Sequence, residues 1–185
     1  ELAVKAIRDS RIINTGQVCN CAERVYVQRQ VAEEFTARIA QAMAATRYGD
    51  PIAHPEVEMG PLINQKGMDS VQAKVRQAIA DGAQLVTGGQ AGDLGAGFHF
   101  QPTVLAGCTA GMEIMRQEIF GPVLPIQVVE DLDEAIALAN DCEYGLTSSL
   151  YTRDLSKAMQ AMREIDFGET YINRENFEAM QLSLI

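Results

Sequence analysis

Four cysteines, two histidines and scattered carboxylates are the groups in this chain that could do nucleophilic, redox or metal chemistry. Cys19 has the setting that best suits a nucleophile. It lies in Asn14-Thr15-Gly16-Gln17-Val18-Cys19-Asn20-Cys21, where Gly16 permits a sharp turn and a close backbone approach, and Gln17 and Asn20 add hydrogen-bonding groups. A thiolate presented from such a turn can add to an electrophilic carbon. A lone cysteine is more commonly a small buried hydrophobe, so the turn needs support from the rest of the chain. Cys21, Cys108 and Cys142 complete the set, and no C-x-x-C spacing of a zinc ribbon or thioredoxin-like site occurs. Free thiols are therefore expected. A zinc site built from Cys19, Cys21 and either His54 or His99 matches no familiar ligand spacing, and no metal is expected. His99, between Phe98 and Phe100, reads as a structural residue.

The elements around Cys19 follow from hydrophobic periodicity. Leu2, Ala3, Ala6 and Ile7 repeat at helical spacing, which predicts a helix from 2 to about 12 that delivers the chain to the Gly16 turn. Arg24 to Gln28 alternates as a strand, and Val31, Phe35, Ile39 and Met43 step by four along a second helix. After Gly49-Asp50-Pro51 comes a loop through Met59-Gly60-Pro61-Leu62-Ile63. A third helix carries Met68, Val71, Val75 and Ile79 and stops at Gly82. Leu85-Val86-Thr87 reads as a short buried strand, the glycines from Gly88 to Gly97 as a surface loop, and Pro102-Thr103-Val104-Leu105 as an edge or strand-end segment. The glycine cluster does not follow the G-x-G-x-x-G order of a dinucleotide site.

Val123 to Val129 is the most apolar strand. A helix follows with Asp131 as N-cap and Glu134 placed for a capping box. Leu146 to Thr152 is another strand. Asp154 caps a last helix with Leu155, Met159, Met162 and Ile165 as an apolar stripe whose methionines are expected in the core, and Thr170 to Asn173 is a final strand. Strands alternating with helices predict an α/β fold, a mainly parallel sheet with helices on both faces. No repeat or domain boundary interrupts residues 1–185.

Composition excludes several classes. A formal charge of −10 with fifteen scattered Lys and Arg argues against a nucleic-acid surface. No apolar run reaches the roughly 18 residues of a membrane span, and Glu1 to Ser10 lack the pattern of a signal peptide, so a cytoplasmic protein is expected. The start at Glu1, inside a helical pattern and without Met, reads as a piece of a longer polypeptide.

Several separated stretches resemble the aldehyde dehydrogenase superfamily in that family's own order. They are Gly16-Gln17-Val18-Cys19, Gly49-Asp50-Pro51, Met59 to Ile63, Gly82-Ala83 with Gly88-Gly89, Pro102 to Leu105, Glu118-Ile119-Phe120-Gly121-Pro122-Val123, and Ala139-Asn140 before Tyr144-Gly145-Leu146. Together they span nearly the whole chain and match the nucleophile-bearing catalytic domain. Residues 14–24 and 168–177 are most similar to the branch acting on lactaldehyde and glycolaldehyde. The resemblance implies oxidation of a small aldehyde to the acid with NAD, NADP not being excluded. Cys19 would be the catalytic nucleophile, forming a thiohemiacetal and then a thioester. Its backbone N–H would help hold the oxyanion. Glu118 would bind the hydroxyls of the nicotinamide-side ribose and Phe120 would lie by the nicotinamide.

The family's general-base glutamate, oxyanion asparagine and adenosine-binding residues have no counterpart in this chain. The isolated piece is therefore expected to be inactive, and the full-length enzyme to be a homo-oligomer. Leu182-Ser183-Leu184-Ile185 departs from the family's pattern. Two alternatives stay open: a CoA-acylating semialdehyde dehydrogenase using the same cysteine, and a non-catalytic assembly module retaining the fold.

Overall fold

A computed structural model describes residues 1–95 and 97–175. The final part of the 168–177 stretch and the departing residues 182–185 lie outside the described residues. Helix α1 (Leu2–Ile12) runs into a 3-10 turn, Ile13–Gly16, and the Cys19 loop then leads to strand β1 (Val25–Gln28). There follow α2 (Arg29–Ala44), α3 (Gln65–Ala80), β2 (Gln84–Thr87), β3 (Thr103–Ala106), the short α4 (Glu113–Arg116) and β4 (Val123–Val129). The chain continues through α5 (Leu132–Asn140), β5 (Thr147–Leu150), α6 (Leu155–Glu164) and β6 (Glu169–Ile172).

One sheet has the order β1-β4-β3-β2, parallel except for the antiparallel β2, and β5 and β6 form a second, parallel pair. β4 is the axis of the larger sheet. It pairs with β3 from Val123 to Pro125 and with β1 from Ile126 to Val129, so Pro125, which has no N–H, sits where one ladder hands over to the other. Neighbouring strand residues face opposite ways. Val104 and Leu124 pack with Ile39 and Met43 of α2, while Leu105 and Val123 pack with Val71 and Val75 of α3. The sheet is thus mainly parallel with helices on both faces, as expected. Asp131 accepts the Glu134 N–H at 2.9 Å, the Glu134 carboxylate accepts the Glu130 N–H at 2.7 Å, and Asp154 caps α6 through Ser156 and Lys157. Among the described residues no helix is long and apolar enough to cross a membrane.

Four expectations are corrected. Leu85 and Val86 are 39% and 37% exposed, because β2 is the outermost strand rather than a buried one. Thr103, Val104 and Leu105 are instead wholly buried, because β3 lies between β2 and β4; Pro102 precedes the strand and costs it no ladder bond. In α6 the side turned inward is small. Ala158 and Ala161 are buried, whereas Leu155, Met159 and Met162 are 76%, 43% and 55% exposed. The methionines expected in the core lie on the surface, because α6 turns Ala158 and Ala161 inward instead. In α3 the stripe also drifts by one residue at its end, where Ala78 is buried and Ile79 is partly exposed.

Cys108 gives the core a pH dependence. Burial pushes its thiol from 9.0 up to about 11. A thiol that ionises more readily when unfolded makes folding less favourable as pH rises, so its contribution is complete below about 9 and is lost by about 11. Urea denaturation at pH 8 and pH 10.5 is expected to show a larger loss of stability for the native chain than for Cys108→Ala. Equal losses would refute this.

Candidate active site

Two turns meet at the end of α1. The first is formed by Asn14, Thr15 and Gly16, whose φ values of 45°, 61° and 73° put three successive residues in the left-handed region. For Asn14 and Thr15 this backbone is disfavoured and needs outside support. Asn14 Nδ2 donates to the Gln17 carbonyl at 3.2 Å and Gln17 Nε2 returns a bond to the Asn14 carbonyl at 2.9 Å. Gln17 Oε1 accepts the Ile63 N–H at 2.9 Å, and Thr15 Oγ1 donates to the Gly60 carbonyl at 2.9 Å. Gln17 therefore anchors the turn to the Gly60–Ile63 loop, which explains two of the sequence motifs together. Beyond it Cys19 is exposed.

Cys21, two residues on, is different. It is buried, its S–H points at the Gly16 carbonyl at 3.5 Å, and burial raises its pKa despite the opposing pull of Arg11. Of the two neighbouring thiols, only Cys19 is presented outward.

The second turn links α4 to β4 and carries Glu118, Ile119, Phe120 and Gly121. Glu118 is exposed, and its N–H donates to Tyr144 Oη at 3.3 Å. Phe120 is 42% exposed with φ of 54°, again left-handed. The two turns touch at glycine: a Cβ on Gly16 would lie 2.3 Å from the Gly121 carbonyl oxygen. The same need for a bare backbone holds at Gly121, where a Cβ would lie 2.4 Å from Val71 Cγ2.

Cys19 and Glu118 line one cavity of about 520 Å³, together with Tyr26, Tyr144, Leu146 and Phe167. Phe120 is not among its lining residues and stands at the adjoining turn. The structure thus brings Cys19 and Glu118, 99 positions apart in sequence, to a common space with a largely apolar wall. Arg24 also reaches it, donating to Cys142 Sγ at 3.0 Å. Sequence reasoning missed Arg11 and Glu23. Arg11 is fully buried, pairs with the Glu23 carboxylate and donates to the carbonyls of Ala22 and Gly121. A signal existed: Arg11 lies four residues after Ile7 on the inward side of α1, where a charge needs a partner. His99 is buried and is not among the residues that line this cavity.

The model of the aldehyde dehydrogenase family matches residues 1–184. The chain belongs to the aldehyde dehydrogenase family. It is 52% identical over 181 residues to lactaldehyde dehydrogenase of Escherichia coli K12, covering 98% of this chain and 38% of that protein. The crystal structure of Escherichia coli lactaldehyde dehydrogenase superposes with a TM-score of 0.94 at 53% identity, covering 97% of this chain and 38% of that one. A point mutant of Staphylococcus aureus betaine aldehyde dehydrogenase, in complex with NAD+ and with a BME-modified cysteine, superposes at 0.92 with 31% identity. That match covers 97% of this chain and 37% of that structure. The chain thus spans about two fifths of the length of these aldehyde dehydrogenases.

Proposed function

We propose that residues 1–185 are the nucleophile-bearing catalytic domain of an NAD-dependent aldehyde dehydrogenase that oxidises a small hydroxyaldehyde to its acid. The observation carrying this reading is that Cys19 alone of the neighbouring thiols is exposed, on a cavity it shares with Glu118. The Cys19 thiolate adds to the aldehyde carbon, and the carbonyl oxygen becomes an oxyanion beside the Cys19 backbone N–H. Loss of hydride from that carbon leaves a thioester on Cys19, and water cleaves it to the acid and the free thiol. NAD, when bound, supplies the hydride acceptor; NADP would supply the same chemistry. The residues present suit it: the Glu118 carboxylate can accept bonds from two vicinal hydroxyls, and Phe120 offers an exposed apolar ring at the adjoining turn.

The substrate class rests on the 52% identity to a lactaldehyde dehydrogenase. The whole enzyme would be a homo-oligomer, and this domain alone would form no NADH from aldehyde; appreciable turnover by the purified 185 residues would refute that part. The exposed thiol favours this reading over a structural module. Peptide-resolved alkylation with iodoacetamide tests it on the chain itself. Cys19 is expected to react at least about tenfold faster than Cys21 and Cys108, which are buried, and faster than half-buried Cys142. A Cys19 rate no greater than that of Cys142 would sink the assignment.

A further inference from the structure

Resting on the reading of Cys19 as nucleophile and Glu118 as cofactor ligand, we infer that Arg11 and Glu23 are positioning residues that set the separation between the two turns carrying those groups. Arg11 leaves the last turn of α1, three residues before the left-handed run that begins at Asn14, and its guanidinium reaches both sides of the junction. Toward the nucleophile turn it donates from Nη1 to the Ala22 carbonyl at 2.8 Å and from Nη2 to the Gly16 carbonyl at 3.5 Å. Toward the opposite turn it donates from Nε to the Gly121 carbonyl at 2.7 Å, with a second bond from Nη2. Glu23 repeats the arrangement from the other end. One carboxylate oxygen pairs with Arg11 and the other accepts the Ile119 N–H, one residue from Glu118.

The guanidinium suits this task because its donors are fixed in one plane, so bonds to carbonyls on two segments fix their relative position. Lysine, with one nitrogen, cannot make that span. The strain is placed to match. Thr15 on one turn and Phe120 on the other hold left-handed backbone, which persists only where surrounding contacts over-determine it. Arg11 is also wholly buried and is paired with a carboxylate, so it is not a surface charge that happens to lie nearby. In the proposed reaction, hydride transfer demands a fixed distance between the carbon on Cys19 and the group held at Glu118, and a small displacement slows it greatly.

Hydrogen exchange of the 185-residue chain, read at single amides, separates positioning from general stability. In Arg11→Met the amides of residues 16–22 and 119–121 are expected to exchange about tenfold faster or more, while those of Leu124 and Ile126 in β4 keep their native rates. Arg11→Lys is expected to restore part of the protection at Ile119, through Glu23, and none at the Gly16 turn. Native exchange in both turns of a folded Arg11→Met chain would overturn the inference. So would acceleration that merely follows the β4 amides. If Arg11→Met does not fold, Glu23→Gln decides on the same criterion, with loosening at Ile119 and at residues 16–22 expected together. Failure of the nucleophile reading has a separate signature, a slow Cys19 alkylation in the native chain, which leaves the exchange result unaffected.

Discussion

Cys19→Ser, placed in a polypeptide that carries this domain together with a cofactor-binding domain, is expected to lower aldehyde oxidation by about a thousandfold or more. The size follows from the nucleophile. A thiol near neutral pH is already a few per cent thiolate, whereas a serine hydroxyl at the same position needs a base to take its proton. No His side chain stands in the Cys19 cavity to serve, since His54 and His99 are not among its lining residues. The fold should be indifferent, because the Cys19 side chain is exposed and an exposed substitution changes stability by about 0.5 kcal/mol at most. Cys142→Ser is the control. Its sulfur sits between Arg24 and the carbonyls of Ala139 and Tyr144, in contacts a hydroxyl can replace, and activity within about threefold of native is expected. Steady-state NADH formation measures both. A serine variant keeping about a tenth of the native rate would remove Cys19 from the reaction.

How much of this was legible depends on the distance over which each feature is determined. Helices α1, α2, α3 and α5 follow from periodicity and caps, which are local, and Asp131 and Asp154 cap where their spacing from the apolar residues requires. The nucleophile turn was legible for the same reason, because Gly16, Gln17 and Cys19 lie within four consecutive residues. Strand burial is not local. Leu85-Val86-Thr87 is as apolar as many interior strands, and it is exposed because β3, sixteen residues and more away, takes the inner place beside β4. The same limit explains α6. Its Leu and Met stripe carries the larger apolar side chains, yet the fold turns the Ala158 and Ala161 face inward, a choice made by the rest of the chain and not by the stripe.

Arg11 marks the point where sequence reading fails in a useful way. A charge among inward-facing helical positions conflicts with the pattern, and the conflict is resolved by Glu23, Ala22 and Gly121, all outside α1 and the last of them 110 residues from Arg11. Gln17 is similar: its role is fixed by Ile63, 46 residues on. Both residues join segments rather than fill a face, so periodicity is blind to them.

Gly16→Ala is expected to cost about 2–5 kcal/mol of stability and to move the two turns apart, and Gly82→Ala shows why the first figure is large. Both glycines have positive φ, +73° at Gly16 and +106° at Gly82, so an added Cβ strains the backbone at each, by about 1–2 kcal/mol. At Gly82 nothing lies within 4 Å of that Cβ. At Gly16 it would meet the Gly121 carbonyl oxygen at 2.3 Å, its carbon at 2.5 Å and Arg11 Nη2 at 3.1 Å. Two of those atoms are backbone and cannot swing aside. Arg11 also holds that carbonyl, donating to it from Nε at 2.7 Å, so relief requires the whole Glu118–Gly121 turn to retreat from the Cys19 turn. Urea denaturation of both variants should therefore give a clearly larger loss for Gly16→Ala, accompanied by an altered Cys19 alkylation rate that Gly82→Ala does not share. Equal losses would mean that the left-handed backbone alone demands glycine at 16. The difference between the two variants measures how tightly the protein requires the nucleophile turn and the Glu118 turn to be in contact.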